Sequence, residues 1–214
     1  MEQYYDTYLD KFVESKNQNI KLKENYRWLH TNIFYRIFSR ILYIFATLFS
    51  LVYCRIFLHT RIKNKKVLKE IKHTGCFLYG NHTQPMGDAF TPVLCAFPKR
   101  IYTVAGTANL GIPVLGKIIP ILGGIIVPDE KKHMKEFLEA LKYRLDKNSL
   151  IVIYPEAEVW PYCGFVREFP ATSFRFPVMF DVPAFCMTTT YQKRKSGKKP
   201  RITVYMDGPF YAKK

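Results

Sequence analysis

Acidic residues are scarce in this chain of 214 residues, in which 17 aspartates and glutamates face 33 lysines and arginines. The resulting formal net charge of +16 at pH 7 predicts an anionic partner. That partner could be nucleic acid, anionic lipid headgroups or a phosphorylated substrate, and composition alone does not choose among them. Apolar residues make up 48% of the chain, which excludes disorder for most of its length.

Cysteine is also sparse, and its pattern carries no pairing signal. The five cysteines are odd in number and contain no C-x-x-C pair, so we expect free thiols in a reducing compartment. The first apolar run begins behind a long polar leader, which argues against a cleaved secretory signal. The sequence therefore predicts a protein that is cytoplasmic or faces the cytoplasm.

Several motifs that would define a function are missing. There is no Walker loop, no G-x-G-x-x-G and no G-x-S-x-G nucleophile elbow, which argues against nucleotide-binding folds and a hydrolase-type serine. His73, Cys76 and His82 could be imagined as metal ligands, but a predicted strand separates Cys76 from His82 and no second ligand pair exists. We expect no metal site.

The first 60 residues differ from the rest of the chain in their pattern of polar and apolar residues. Residues 1–30 are polar and carry apolar residues at loosely helical spacing, which predicts a short amphipathic helix and a linker. These apolar residues are Tyr5, Leu9, Phe12 and Val13.

A second N-terminal segment is strongly apolar. Its uncharged stretch, Ile41 to Cys54, is shorter than the roughly 20 residues of a bilayer span. Arg36, Arg40 and Arg55 could still extend their charges to lipid headgroups. The segment could be a buried core helix, but its aromatic residues, its arginines and the basic run that follows favour a helix lying in one leaflet. Anionic lipid would then explain much of the excess charge.

From residue 75 onwards, short apolar runs rich in β-branched residues alternate with helical segments. The sequence between residues 129 and 148 has apolar residues at helical spacing, which predicts an amphipathic helix. We therefore expect an α/β fold with a mostly parallel central sheet flanked by helices, in a domain covering 61–214, preceded by membrane-anchoring helices over 1–60. The predicted strands are Cys76–Tyr79, Ile101–Val104, Gly124–Val127, Leu150–Tyr154, Val182–Thr188 and Ile202–Met206.

Two polar segments follow predicted strands, where α/β sheets build their sites. "GNHTQPMGD" places His82 six residues before Asp88, and a carboxylate near an imidazole can fix its tautomer and raise its basicity. The pair could equally be a satisfied loop histidine and a helix-capping aspartate. In "YPEAE", Glu156 could accept a hydrogen bond from a substrate hydroxyl or cap the next helix.

The order of these segments resembles the lysophospholipid and glycerolipid acyltransferase family, whose best-known members convert lysophosphatidic acid to phosphatidic acid. That family has an Asn-His-x4-Asp block after its first core strand and a Pro-Glu block after a later one. This chain reads "NHTQPMGD", then "GTANLGIPVLGKIIPILGGIIV", "YPEAEVW", "REFPATSFRF", "DVPAFCMT" and "RITVYMDGPF". The resemblance covers roughly residues 65 to 212, with the blocks in the family's order.

The chain departs from the family pattern at three places. Asp88 is one residue further from His82 than usual, and we expect Gly87 to absorb the extra residue through an unusual backbone angle. Where the family carries arginines thought to hold the acceptor's phosphate, this chain reads Pro128-Asp129 after "GGIIV" and Ala157-Glu158-Val159 after the Pro-Glu. Nearby cations could substitute for them: Lys117, Lys131, Lys132, Arg167 or Arg175.

The resemblance implies a membrane-associated acyltransferase that moves a fatty acyl group from an acyl thioester to a lysophosphatidic acid-like lipid. The donor would be acyl-CoA or an acyl carrier protein, and no metal or redox cofactor is implied. His82 would be the general base and Asp88 its orienting acid, with backbone amides after His82, or a nearby lysine, facing the oxyanion. Residues 112–121 and 174–180 would form an apolar acyl channel. Contacts with the substrates would come from Asn81, Thr83, Pro155, Glu156, Lys117, Lys131, Arg167 and Arg175.

Three other functions compete with this one. The missing arginines favour a non-phosphate acceptor such as a glycolipid or a lysophospholipid headgroup, and a catalytically lapsed member could serve as a membrane adaptor. A nucleic-acid partner is not expected, because the chain has no recognisable binding module and its basic residues cluster near the apolar helix. The expected location is the cytoplasmic side of the cell membrane, as a peripheral or monotopic protein.

Overall fold

The computed structural model describes residues 20–194 and 199–212. The helix predicted around Tyr5 to Val13 therefore lies outside the described residues. Within them, the chain forms a seven-stranded sheet in the order β1-β7-β6-β2-β5-β3-β4. The strands are β1 (Arg61–Lys63), β2 (Cys76–Gly80), β3 (Ile101–Ala105), β4 (Gly124–Ile126), β5 (Leu150–Ile153), β6 (Ala184–Gln192) and β7 (Arg201–Phe210).

The sheet is mostly parallel, as the sequence predicts. Every neighbouring pair is parallel except β6 with β7, so β1 and β7 run against the other five strands. All six predicted strands are present. The sequence did not predict β1, whose three residues contain a single apolar side chain between two basic ones.

Helices cover both faces of the sheet, because its central strands are apolar on both sides. Along β2, Leu78 packs into one core with residues of the second helix, while Phe77 packs into another core with Phe137 and Leu141. The helices are α1 (Ile33–Val52), α2 (Thr91–Ala96), α3 (Leu115–Leu122), α4 (Met134–Asp146) and α5 (Arg175–Phe180). Helix α4 is the amphipathic helix predicted from its sequence.

Helix α1 begins where the Asn32 side chain accepts hydrogen bonds from the amides of Phe34 and Tyr35. A π-helical turn, Tyr53–Phe57, extends it. The combined helix is 25 residues long and is, by length and composition, apolar enough to cross a membrane. The apolar stretch is thus longer than the uncharged core visible in the sequence, because the arginines lie within the helix.

A surface helix of a soluble protein turns its apolar face toward the core, but the apolar face of α1 points away from the domain. Its large apolar side chains, Phe34, Phe38 and Phe45 among them, are more than half exposed. The side facing the domain is a seam of smaller or polar residues at helical spacing: Ser39, Tyr43, Thr47, Ser50 and Cys54. This pattern is opposite to that of the predicted alternative, a buried core helix.

Hydrogen bonds fasten the seam to the domain. The Ser39 hydroxyl donates to the carbonyl of Ile121 at 2.6 Å, and the Tyr43 hydroxyl accepts from the amide of Ile101 at 3.1 Å. The exposed apolar face of α1 therefore has a fixed orientation relative to the sheet.

The segment preceding α1 also packs on the domain. Leu22 and Trp28 are buried in the core on the α4 face, and the Trp28 indole donates to the carbonyl of Ile126 at 2.7 Å. Residues 20–32 form turns and extended chain instead of a helix. They share the core of the α/β domain, so this part of the predicted linker is an integral part of the packing.

Candidate active site

The site is built where β2, β5 and β6 end at the same edge of the sheet. His82 follows β2, and its Nδ1 lies 2.8 Å from Oδ2 of Asp88. Asp88 is buried, while the His82 side chain is one-fifth exposed, at 20%. A neutral imidazole that donates its Nδ1 hydrogen to a carboxylate keeps a lone pair on Nε2, which is the arrangement of a general base.

The extra residue between His82 and Asp88 is accommodated by a compact turn. The amide of Asp88 donates to the carbonyl of Gln84 at 3.2 Å, and the amide of Gln84 donates to the Asp88 carboxylate at 2.9 Å. The two side chains meet, as expected. The expected role of Gly87 is different, since this glycine is not among those with positive φ. A Cβ at Gly87 would lie 2.7 Å from Oε1 and 3.0 Å from Cβ of Gln84, so a close approach requires glycine here.

The Asp88 carboxylate is stabilised on one oxygen only. Oδ2 accepts from His82 and Gln84, whereas the buried Oδ1 has no hydrogen-bond partner among the described residues. Burial raises the pKa of Asp88, and hydrogen bonds from His82 and from the amides of Gln84 and Thr83 partly oppose this effect. The Gln84 amide, expected to face an oxyanion, is thus directed at Asp88.

Tyr154, at the end of β5, contacts both members of the pair. Its ring lies against the His82 imidazole, with centroids 4.4 Å apart and an interplanar angle of 17°. Its hydroxyl donates to the backbone carbonyl of Asp88 at 2.7 Å. Burial and the charge of Asp88 hold the pKa of Tyr154 well above its ordinary value, so the phenol stays protonated as a donor. Sequence analysis missed this residue.

Glu156 holds the backbone of His82 and a buried arginine. Its Oε2 accepts from the His82 amide at 3.0 Å and from Nη2 and Nε of Arg167 at 2.8 and 3.1 Å. The side chains of Glu156 and Arg167 are only 1% and 2% exposed. The Arg167 guanidinium also donates to the carbonyl of Glu158 and lies over the Trp160 ring at 4.4 Å.

This ion pair changes two expectations. Glu156 was expected to meet a substrate hydroxyl, but its carboxylate is enclosed and bonded within the protein. Arg167 was a candidate for holding a phosphate, but its charge faces Glu156 in the interior. Both residues instead join the loop after β5 to the histidine segment. That loop adds further bonds, from the amides of Trp160 and Tyr162 to the carbonyls of His82 and Thr83.

Asn81 and Thr83 are likewise held inside the protein. The Asn81 side chain forms two hydrogen bonds with the backbone of Thr189 in β6, at 2.9 and 2.7 Å. Thr83 is fully buried, and its hydroxyl lies 2.7 Å from that of Tyr191. Their side chains therefore fix the histidine segment against β6, in contrast to their expected contact with substrate.

The other candidate residues lie nearer the surface. Pro155 is partly exposed directly after β5. Lys117 on α3, Lys131 before α4 and Arg175 at the start of α5 are exposed. Lys132 pairs with Glu130 at 2.9 Å. Of the candidate cations, Lys117, Lys131, Lys132 and Arg175 thus remain accessible, whereas Arg167 does not.

The apolar helix reaches the turn that carries Asp88. Phe90, two residues beyond Asp88, packs edge-to-face against Phe49 and Tyr53 of the α1 segment, with ring centroids 5.4 Å apart in both pairs. A shallow cavity of about 430 Å³ lies elsewhere, beside α5, and is lined by Ala171, Phe174, Arg175, Val178 and Met179. Part of the predicted acyl channel, residues 174–180, thus borders a cavity.

The architecture described above is that of an α/β acyltransferase. The model of the acyltransferase family matches residues 59–189, and the chain belongs to this family. No curated protein sequence matches the chain significantly.

A solved structure with the same fold is the 1-acyl-sn-glycerophosphate (LPA) acyltransferase PlsC from Thermotoga maritima. It is 16% identical, with a TM-score of 0.56, over 81% of this chain and 70% of the other. At this identity the likeness establishes the fold. Family membership and fold together identify the protein as a member of the acyltransferase family.

Proposed function

We propose that this protein transfers a fatty acyl group from an acyl thioester to a lipid hydroxyl at a membrane surface. The observation that carries the proposal is the 2.8 Å contact between His82 Nδ1 and the buried Asp88 carboxylate, because it leaves Nε2 as the proton-accepting atom. The family to which the chain belongs defines the reaction class.

In the proposed reaction, Nε2 of His82 takes the proton of the acceptor hydroxyl as its oxygen attacks the thioester carbonyl. The carbon–oxygen bond forms, the carbon–sulfur bond breaks, and the proton passes from His82 to the departing thiolate. Asp88 stabilises the transient imidazolium and keeps the ring oriented. No covalent enzyme intermediate is needed.

Helix α1 supports an attachment to one leaflet of the membrane. Its exposed face carries phenylalanines and isoleucines, and its seam packs on the domain from Ser39 to Cys54, with hydrogen bonds to the domain from Ser39 and Tyr43. A helix of that length extends about 22 Å. If α1 crossed the bilayer perpendicular to its plane, the domain packed along it would have to enter the hydrocarbon layer, which its polar loops do not allow. We place α1 parallel to the membrane plane on the cytoplasmic side. Phe90 then brings the catalytic turn to the surface from which a lipid acceptor would arrive.

The acceptor in this proposal is a lysophosphatidic acid-like lipid, a choice supported by the similarity in fold to PlsC, an LPA acyltransferase. A non-phosphate acceptor, such as a glycolipid or lysophospholipid headgroup, is the second candidate. It is favoured by the enclosure of Arg167 and by the absence of arginine from Pro128-Asp129 and Ala157-Glu158-Val159, where the family pattern has arginines. Lys117, Lys131 and Arg175 would have to bind the phosphate in the first case.

The test is an acyl-transfer assay on the purified full chain in lipid nanodiscs. Labelled acyl-CoA and acyl carrier protein serve as donors, and lysophosphatidic acid, lysophosphatidylcholine and a monoacylated glycolipid serve as acceptors. We expect an acylated lipid from the wild type and a loss of about 10²-fold or more in His82→Ala. His73→Ala, at an exposed histidine before β2, is the matched control.

The acceptor panel separates the two candidates. Product from lysophosphatidic acid alone supports the first, and product from a neutral glycolipid alone supports the second. Membrane binding without transfer to any acceptor, unchanged in His82→Ala, would show a lapsed adaptor and contradict the proposal.

A further inference from the structure

A second cleft lies at the opposite edge of the sheet from His82. It has a volume of about 900 Å³ and is bordered by the segment before α1, by α1 as far as Leu48 and by the ends of α3 and α4. Arg100, which directly precedes β3, and Ser149, which directly precedes β5, line it. Strands β2, β5 and β3 are parallel, so the cleft lies at their N-terminal ends and the dyad of His82 and Asp88 lies at their C-terminal ends. The length of a strand, about 15 Å, separates the two places.

The described lining of this cleft contains cations without carboxylates. Arg27, Arg36, Arg40, Arg100 and Arg144 all contribute, and neither aspartate nor glutamate does. No ion pair among the described residues involves these arginines. Grouped like charges without counterions favour the binding of an anion.

Two of the arginines are held by aromatic rings. The guanidinium of Arg100 lies 3.4 Å from the ring centroid of Tyr43, and that of Arg144 lies 4.4 Å from the centroid of Tyr102. Tyr102 also faces Arg100, at 5.1 Å. Stacking uses the faces of the guanidinium groups and leaves their N–H edges for planar recognition of an oxyanion.

Buried donors in the cleft also lack partners. The Nε atoms of Arg100 and Arg144 are buried without a hydrogen-bond partner among the described residues. Buried donors without a partner are uncommon in folded proteins, because burial removes their hydrogen bonds to water and no other bond replaces them. Nearby, burial lowers the pKa of His30, and the charges of Arg144 and Arg27 lower it further.

The rim of the cleft is apolar. Ile37, Ile44 and Leu48 of α1 line it, and each is about half exposed, at 51%, 52% and 56%. They continue into the outward apolar face of α1. A molecule that fills this cleft therefore meets arginines at its centre and an apolar surface at its rim. That combination suits an amphiphile with an anionic head and hydrocarbon chains.

We infer that this cleft binds the phosphate-bearing headgroup of an anionic membrane lipid, between Arg100 and Arg144, with the lipid chains along α1. This bound lipid is distinct from the acceptor, since it lies at the other edge of the sheet. The inference rests on the proposed attachment of α1 to a membrane. It does not depend on the chemistry of His82.

The test is native mass spectrometry of the full chain in micelles containing phosphatidylglycerol or phosphatidylcholine at equal concentration. We expect one retained phosphatidylglycerol and a roughly tenfold weaker affinity in Arg100→Gln/Arg144→Gln, as for the loss of a charge-assisted bond. Lys66→Gln/Lys135→Gln removes the same charge from exposed positions and is the matched control. Arg100→Lys/Arg144→Lys keeps the charge but removes the planar fork.

Each outcome decides the inference. Equal weakening in both Gln pairs would show diffuse attraction to a basic protein and overturn it. Equal retention of phosphatidylcholine would do the same. Displacement of the lipid by soluble glycerol phosphate at equal concentration would show a free-phosphate site, not a lipid site. His82→Ala should abolish acyl transfer while retaining the lipid, so the two proposals can fail separately.

Discussion

The ring of Tyr154 stacks on the imidazole of His82 while its hydroxyl bonds the backbone carbonyl of Asp88. One side chain therefore orients the imidazole that we propose as the general base and supports the residue that holds this imidazole in place. Because β5 fixes Tyr154, the dyad is positioned by the sheet itself and not only by its own turn.

Tyr154→Phe should retain the stacking and lose the hydrogen bond. Leaving one buried carbonyl unpaired should cost about 1 kcal/mol in the free energy of unfolding. Because the turn also loses a support, we expect kcat to fall with little change in KM. Tyr154→Leu, which removes the stacking as well, should reduce kcat further. Steady-state kinetics measure both effects. Tyr205→Phe, at a half-exposed tyrosine of β7, is the control, and an equal loss there would contradict the positioning role.

The pair formed by Glu156 and Arg167 should behave as a buried ion pair. Glu156→Gln leaves the Arg167 charge uncompensated, so we expect a loss of about 3 kcal/mol in the free energy of unfolding. Glu156→Gln/Arg167→Met should lose less than the sum of the two single changes. Urea denaturation of the four proteins gives the coupling energy.

The alternative for Arg167 makes a different prediction. If this arginine bound an acceptor phosphate, Arg167→Met would raise KM for the acceptor and leave stability nearly unchanged. Purely additive stabilities together with a KM effect would therefore overturn the structural role given to Arg167.

Asp88 should make stability depend on pH. Burial raises its pKa above the ordinary value of 3.8, so its contribution to stability is fully present below that value and is lost as the pH rises through the raised pKa. Asp88→Asn cannot ionise, so its stability relative to the wild type should improve from about pH 4 upwards and then become constant. Urea unfolding of both proteins across this range provides the difference. Asp146→Asn, at an exposed aspartate of α4, should show no such rise.

Gly87→Ala should disturb the dyad through Gln84. The added Cβ would lie 2.7 Å from Oε1 and 3.0 Å from Cβ of Gln84, so the Gln84 side chain must move, and we expect kcat to fall by about tenfold as the packing of the turn changes. Gln84→Ala/Gly87→Ala removes the clash and should recover activity toward that of Gln84→Ala. The same kinetic assay measures all four proteins, and an absence of recovery would show that Gly87 is needed for another reason.

Charge on the outer face of α1 should release the protein from membranes. Phe38→Asp/Phe45→Asp introduces two carboxylates at side chains that are 55% and 65% exposed, so folding should be preserved. We expect loss of co-flotation with phosphatidylglycerol vesicles, because each charge opposes insertion by about 2.5–3.5 kcal/mol. Val166→Asp, at a loop residue that is 60% exposed, should still float. Flotation of the double variant at the wild-type level would contradict the membrane face.

The sequence predicted the sheet well because its central strands are buried on both faces. The runs "CFLYG" and "LIVI" are apolar at every position except the final glycine of the first, and this pattern is visible without any partner. Strand β1 could not be predicted, since "RIK" is too short and polar to carry a signal and depends on its pairing with β7. The antiparallel pairing of β6 and β7 is also a property of the assembled sheet.

The site was predictable where the signal is local. His82 and Asp88 belong to one motif, and their contact was expected from it. Asn81, Glu156 and Arg167 form hydrogen bonds within the protein, to partners that are distant in sequence or lie across a loop. The sequence does not show these partners, so the polar side chains were expected to contact substrate instead. Tyr154 was overlooked because it ends an apolar strand and its partner is 66 residues away, at Asp88.

The polar seam of α1 has a consequence for lipid traffic. On the proposed placement of α1 in one leaflet, a helix packed along its length on the domain cannot exchange sides, so the enzyme would draw its acceptor from one half of the bilayer and return the product there. Any asymmetry it creates between the two monolayers would persist until a separate flipping activity relieved it.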